Sequence, residues 1–383
     1  MSWNKVPIKT ICKGIYDGPH ATPPESSSGA VFLGIPNFIN GQLDLSNIRY
    51  ISEQDLPKWT KRVTPQPNDI VFSYEATLNL YAIIPKGFWG CLGRRMALIR
   101  VDERKADYKF LYYYFYSTAW RSVIQEHTVT GATVDRIPLV SFPDFLVELP
   151  DLPTQRRIAS ILSAYDDLIE NNRRQIKLLE EAAQRLYREW FVELRFPGHE
   201  SVKVVDGVPE GWKIETVGSL LRKIPRTKQV LTSDYQVSGN IPIVDQSRDF
   251  IAGYTNDTDA CVKPQDAIIV FGDHTRILKY ITFPFAKGAD GTQLIVSNSD
   301  CMPQSLFYFS IIHIDLTNYH YARHFKYLKE STILVPTKSI ANAYDNIVHP
   351  IMKRIQVLRN SCVKAKEVRD RLLPKLMSGE MEV

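Results

Sequence analysis

Apolar side chains recur at helical spacing in two stretches of this chain. From residue 169, Ile169, Ile176, Ala183 and Trp190 form one row and Leu179 and Leu186 another, an a/d pattern that predicts a helix with a single apolar stripe. The pattern returns near the end, with Val348, Ile355 and Cys362 in one row and Ile351, Leu358, Ala365 and Leu372 in the other. Asp166 and Asp345, like Ile176 and Ile355, stand 179 residues apart, so both helices share one register. Asn172 at a d position and Arg369 at an a position break the stripes with polar groups, which fixes register at a cost in stability. An internal repeat of this kind takes precedence over any single motif.

The punctuation around the stripes predicts where the helices begin. Leu152, Pro153 and Thr154 open the first copy, and Val335, Pro336 and Thr337 open the second, which lacks the Gln155, Arg156 and Arg157 of the first. Pro153 and Pro336 are 183 residues apart, so the second copy is four residues shorter on this reading. Ser163 before Asp166, and Asn342 before Asp345, have the spacing of an N-cap followed by an acidic first turn. Thr154 to Leu162 is therefore expected as a separate short helix, and Pro350 as the start of the second long helix or a kink in it. Ile169 to Leu194 spans 26 residues, roughly 40 Å of rod, close to the ~34 Å of one DNA turn.

The stretches before each helix also answer one another. Trp3 opens one half and Trp212 the other, the latter behind the turn Pro209, Glu210 and Gly211. The β-prone run Asp69, Ile70, Val71, Phe72 corresponds to Asp266, Ala267, Ile268, Ile269, Val270, Phe271. Phe110, Leu111, Tyr112, Tyr113, Tyr114 and Phe115, and later Leu306, Phe307, Tyr308 and Phe309, read as helices packed on those sheets. Base-stacking platforms are the minority reading. The fold expected is α+β, with two α/β domains in a pseudo-two-fold repeat and two long antiparallel, coiled-coil-like helices. The boundaries are 1–150 for the first domain, 151–200 for the first helical spacer, 201–335 for the second domain and 336–383 for the second spacer.

Composition narrows this picture only a little. A chain of 383 residues suits two modest domains with connecting helices. Its net charge of +5 permits nucleic-acid binding without arguing for it. Five scattered cysteines with no CxxC pair point to neither a disulfide framework nor a zinc site, which fits a reducing cytosol. Neither a signal-like apolar segment at Met1 to Lys5 nor a membrane-spanning run is present, so a cytoplasmic location is expected.

Catalytic motifs are missing. The glycines at 87, 90 and 93 follow neither the phosphate-loop nor the dinucleotide spacing, and read as turns. The amino-methyltransferase signature, Asn or Asp followed by Pro-Pro and an aromatic, is absent, since Pro23 and Pro24 follow Thr22 and precede Glu25. His320 and His324 would share a helix face, but position 321 is Tyr and no third ligand is in sight, so no metal site is read here. Asp166 and Asp167 read as helix-capping charge rather than an acid–base pair.

Leu152, Pro153, Gln155, Ile158, Leu162, Asp166, Ile169, Ile176 and Leu179, followed later by Leu372, Leu373, Pro374, Lys375, Leu376, Ser378, Gly379 and Glu380, resemble the conserved regions of the DNA-specificity (S) subunits of type I restriction-modification systems. Pro209 to Trp212 is similar to the start of that family's second recognition domain. The resemblance covers essentially the whole chain. It implies a non-catalytic subunit whose two target-recognition domains read the halves of a bipartite double-stranded DNA target, with the helices setting their separation and docking partners. The implied partners are two adenine-methylating (M) subunits that use S-adenosylmethionine, and restriction (R) subunits that use ATP and Mg. No cofactor is implied in this chain itself.

Reading residues are sought among cationic and amide side chains on loops. In the first half these are Arg94, Arg95, Thr128, Thr130, Thr133 and Arg136; in the second, Arg226, Lys228, His274, Arg276, Lys287, Gln293 and Arg323. For each, ordinary solvated surface is an equally good reading. The competing function is a helical protein–protein adaptor that does not read DNA. The sequence leaves open the target bases, the spacer length, the methylated adenines and the presence of an R subunit.

Overall fold

A computed structural model of the chain describes residues 3–131, 134–225, 227–288, 290–318 and 323–383. The chain divides into two compact units, one of residues Met1–Glu170 with Val363–Val383, the other of Asn171–Cys362. Each unit thus contains one α/β domain and a portion of both long helices.

In the first unit, the strand Asn4–Pro7 pairs antiparallel with Leu146–Leu149, so the domain is entered and left through one short ladder. Between these ends lie the short hairpin Phe38–Ile39 with Gln42–Leu43 and two larger sheets. One orders Cys12–Asp17, Met96–Val101, Ile70–Ser73 and Tyr81–Ile83, all antiparallel. The other places Ala30–Leu33 between Arg49–Ile51, antiparallel, and Gly90–Leu92, parallel. The aromatic run forms the helix Tyr108–Tyr114, capped by Asp107, whose carboxylate accepts from the Phe110 amide. Phe72, Tyr81, Phe110, Tyr114, Phe115, Trp120 and Phe142 are fully buried. Two of their three polar tips meet, as Trp120 Nε1 donates to Tyr81 Oη at 2.8 Å.

The second unit repeats this order. Lys213–Thr216 pairs antiparallel with Thr332–Val335. Ile268–Gly272 lies between Leu278–Ile281 and Thr292–Ile295, as Ile70–Ser73 does between its neighbours. Ile241–Val244 pairs antiparallel with Gly253–Thr255 and parallel with Phe285–Lys287, which Cys261–Val262 extends. The helix Gln304–Ile312 buries Leu306, Phe307 and Phe309. Both aromatic segments are therefore core, not stacking surfaces.

The long helices depart from the expected boundaries. The first is unbroken from Leu152 to Tyr187 and closes in a π-helical turn, Arg188–Val192. Thr154 to Leu162 are thus its opening turns rather than a separate helix. Its cap is Asp151, whose Oδ1 accepts from the Thr154 amide at 2.9 Å; the Thr154 side chain and then its amide hold the Asp151 carboxyl below its ordinary pKa. Ser163 lies in the helix interior, and so does Asn342, because the second helix runs from Lys338 to Met377 straight through Pro350. Pro350 and Asn346 are both exposed, so water can satisfy the Asn346 carbonyl that the proline leaves without a donor. Strand pairing matches Pro336 with Pro150, not with Pro153, because Leu149 and Val335 both close the entry ladder. Asp166 is consequently the fifteenth residue of its helix and Asp345 the eighth of its own. The first helix opens with two additional turns, one whole heptad, which leaves the aspartate on the same face.

None of the thirteen expected seam residues is exposed. Ile169, Ala183, Trp190, Val348, Ile355, Leu358 and Ala365 are buried, and Ile176, Leu179, Leu186, Ile351, Cys362 and Leu372 are half-buried. Off the seam, Leu178 and Val357 are 64% and 55% exposed, while Leu162, Tyr344 and Met352 are buried as well. Within the second unit, Asn172 Nδ2 donates to Ser361 Oγ at 3.0 Å, and Arg359 Nη2 donates to Glu180 Oε1 at 2.7 Å, which makes the two helices antiparallel. Asn172 is only 4% exposed, so its bond answers a group that burial would otherwise penalise.

The aspartates expected as caps do something else. In the first unit Asp166 accepts from Tyr113 Oη at 2.5 Å and is paired with Arg369, joining the domain helix, the first long helix and the second. In the second, Asp345 accepts from Ser305 Oγ at 2.5 Å, again tying a long helix to the aromatic helix. Asp166→Ala leaves a tyrosine and an arginine, each mostly buried, without their acceptor. It is expected to destabilise the first unit by about 3 kcal/mol, read as a lowered denaturant midpoint. An unchanged midpoint would show that the carboxylate ties nothing.

Candidate nucleic-acid interface

In the first unit the candidate residues collect around one hairpin tip. The strands Ile70–Ser73 and Tyr81–Ile83 are joined by a loop in which Ala76 and Asn79 have φ of 70° and 61°. Such left-handed angles in side-chain-bearing residues are strained and persist only where surrounding bonds fix them. Those bonds are present. Tyr74 N donates to Arg95 O at 3.2 Å and Tyr74 Oη to Arg94 O at 3.1 Å, while Ile137 N donates to Tyr74 O and Ala76 N to Asp135 O. Val129 and Arg136 exchange reciprocal backbone bonds. Arg94, Thr130 and Arg136 are exposed. Arg95 Nε is buried without a hydrogen-bond partner, 3.6 Å from Glu75 Oε1. Thr128 is differently employed, its hydroxyl donating to Ile124 O at 2.6 Å at the end of the preceding helix. Thr133 lies outside the described residues.

The matching hairpin of the second unit joins Ile268–Gly272 to Leu278–Ile281, and its turn is held more tightly. Gly272 N donates to Ile277 O, Arg276 N to Gly272 O and Asp273 N to Gly291 O. His274 N donates to Gln246 Oε1 at 3.1 Å and Thr275 Oγ1 to Gln246 O at 2.7 Å. Asp273 in turn accepts at its carbonyl from His324 N and at its carboxylate from Phe325 N, so the turn also anchors the helix His324–Glu330. With its backbone thus fixed, the turn exposes His274, Thr275 and Arg276. Arg276, at φ 62°, reaches Leu316 O with one guanidinium nitrogen. Arg323 is exposed one residue before that helix, and Gln293 faces Phe271 across the sheet. Ser247 Oγ and Thr292 Oγ1, next to Gln246 and Gly291 in the chain, are buried without partners.

Two further candidates are Lys228, on a neighbouring loop, and Lys287, at the end of the strand Phe285–Lys287. Lys228 is paired with Asp257 at 2.6 Å, and this bond holds the Asp257 carboxyl below its ordinary pKa. Burial lowers the pKa of the half-buried Lys287, whose carbonyl accepts from Val230 N. Arg226 and His320 lie outside the described residues; His324 Nδ1 is 2.8 Å from Asp273 O. Among the described residues no group of His, Cys, Asp or Glu is placed to hold a metal, and no helix is long and apolar enough to cross a membrane.

Sequence reasoning missed the residues that shape these tips: Tyr74 and Glu75 in the first unit, Gln246, Lys279 and Gly291 in the second. Lys279 did leave a signal, since alternation puts it on the same strand face as the apolar Ile277 and Ile281.

Residues 3–181 match the model of the type I restriction modification DNA specificity domain. The specificity subunit of the type I restriction enzyme MjaIX of Methanocaldococcus jannaschii is 24% identical over 374 residues, 89% of this chain and 85% of that protein. The chain is similar to type I specificity subunits. A second relative, the putative MjaX specificity subunit of the same organism, is 23% identical over 265 residues, covering 66% of this chain and 61% of that one. The crystal structure of the S subunit of a type I restriction-modification system from M. genitalium shares the fold, with a TM-score of 0.62 over 98% of this chain and 96% of that one at 15% identity.

Gly291 has a φ of 82°, and a Cβ there would stand 2.7 Å from His274 Cδ2 and 2.8 Å from Gln246 Nε2. Gly291→Ala is therefore expected to cost the second unit about 1–3 kcal/mol, measured by chemical denaturation. A variant as stable as the parent would mean that the turn is looser than its bonds imply.

Proposed function

We propose that this chain is the non-catalytic DNA-reading subunit of a cytoplasmic type I restriction-modification complex, in which each α/β domain reads one half of a bipartite target. The observation that carries this reading is the recurrence, at matching strand pairs of both units, of a bonded hairpin turn with exposed cations beside it, Arg94 and Arg136 from neighbouring loops in the first unit and His274 and Arg276 on the turn itself in the second. Arg94, Arg95 and Arg136 serve the first half-site, His274, Arg276 and Arg323 the second. A preset turn suits base reading, because the contacts need not first order the loop. Arginine suits it further by donating two parallel hydrogen bonds to guanine or to a phosphate.

On this proposal the paired long helices set the unread spacing, and their exposed flanks dock two methyltransferase subunits that bring S-adenosylmethionine. Restriction subunits supply ATP-driven, Mg-dependent translocation. The 36 and 40 residues of the helices correspond to rods of about 54 and 60 Å.

Arg94→Ala and Arg136→Ala should each weaken the first half-site by about 1–3 kcal/mol, and Arg276→Ala the second by a similar amount. Methylation mapping of the assembled complex measures both, and a loss spread evenly over the two half-sites would contradict the assignment. Binding that does not weaken with salt would favour a protein adaptor instead. Inserting four residues, about one turn, near both residue 180 and residue 359 is expected to lengthen the spacer. An unchanged spacer would rule out the helices as the measuring device.

A further inference from the structure

Lys279 is a lysine in the interior of a sheet. It is 4% exposed, on the strand Leu278–Ile281 opposite Val270. Burying an ammonium is costly unless acceptors surround it. Here Nζ donates to the carbonyls of Asp245 at 2.8 Å and Asp249 at 2.5 Å, with the Asp245 carboxylate 3.8 Å away. Asp245 is itself held, accepting from Ser247 N at 2.9 Å and from Tyr235 Oη at 3.2 Å. The loop from 245 to 249 is thus wrapped around one cation.

The crest of that loop is Gln246. Its carbonyl and both ends of its amide are engaged, with Thr275 Oγ1, His274 N and Asp290 O. Gln246 therefore does not read anything; it fixes the backbone of the turn that exposes His274 and Arg276. Neighbouring glycines show how little slack exists, since a Cβ on Gly288 would meet Tyr235 Oη at 2.2 Å and one on Gly272 would meet Thr275 Oγ1 at 2.1 Å.

The fold itself does not require this cation. In the first unit, Val71 faces Ala82 at the position where Val270 faces Lys279, and Ala82 is fully buried. The same sheet is built there around a methyl group.

We propose that Lys279 is a positioning residue for DNA reading by the second unit, gathering the loop 245–249 so that Gln246 locks the turn carrying His274 and Arg276. The inference rests on the DNA-reading function proposed above and adds a residue that touches no DNA.

The test uses Lys279→Ala, the residue the first unit carries at this position, and Lys279→Met, which keeps the aliphatic stem. In the full-length chain, hydrogen exchange of the 273–277 amides should quicken about tenfold or more in both variants, while amides of the sheet Cys12–Asp17 to Tyr81–Ile83 stay as in the parent. In the complex with its methyltransferase subunits, discrimination should fall by about tenfold at the second half-site alone, with the salt dependence unchanged. The exchange measurement needs no DNA, so it separates failure of this proposal from failure of the DNA-reading assignment. Unchanged exchange in the turn, equal loss at both half-sites, or quickened exchange throughout both units would overturn the positioning role.

Discussion

The structure depends on a carboxylate in each long helix that is bound from outside the helix. Asp166 gathers Tyr113 and Arg369, and Asp345 takes the hydroxyl of Ser305. The apolar seam alone specifies that two helices pair, but an apolar stripe tolerates rotation and slippage far better than a hydrogen bond does. A carboxylate with two directed donors permits one arrangement of domain helix and long helix. In the second unit a further tie works alongside, where Arg359 pairs with Glu180 and covers the Phe250 ring at 4.2 Å. The domain loop carrying Phe250 is the one wrapped around Lys279, so its far end rests on the helices.

Much of this architecture could be read from the sequence because helical periodicity is long and repetitive. Thirteen seam positions and two polar interruptions follow from spacing alone, and burial agrees at every one. The sheets were less legible. Their strands are two to six residues long, too short for alternation to distinguish a parallel neighbour from an antiparallel one. The repeat is consequently tighter in topology than in sequence, with both domains using the same central hairpin and the same parallel pair.

The misread helix starts have a physical cause. Ser163 and Asn342 have capping chemistry, but a capping residue must stand where the helix begins, and the local pattern cannot say that Asp151 stands there already. Asp166 and Asp345 looked like first-turn charge for the same reason: their partners, Tyr113, Arg369 and Ser305, are 53, 203 and 40 residues away. The candidate reading residues were drawn from loop chemistry, and the structure brings Arg94, Arg95 and Arg136 around one tip and His274, Arg276 and Arg323 around another. It separates out Thr128 and Lys228, whose polar atoms are already bonded. The supports of those tips escaped notice because Gln246 and Lys279 are ordinary polar residues until their partners are known.

The ladders Asn4–Pro7 with Leu146–Leu149, and Lys213–Thr216 with Thr332–Val335, give each domain a single doorway. Provided that a hydroxyl such as that of Tyr113 or Ser305 still meets the helix carboxylate, what lies between the two strands can change in length or sequence without moving the points at which the chain joins its helices. Such a module is replaceable as a cassette: a recombination event that falls in the two flanking strands exchanges the whole domain and leaves the flanking long helices in place.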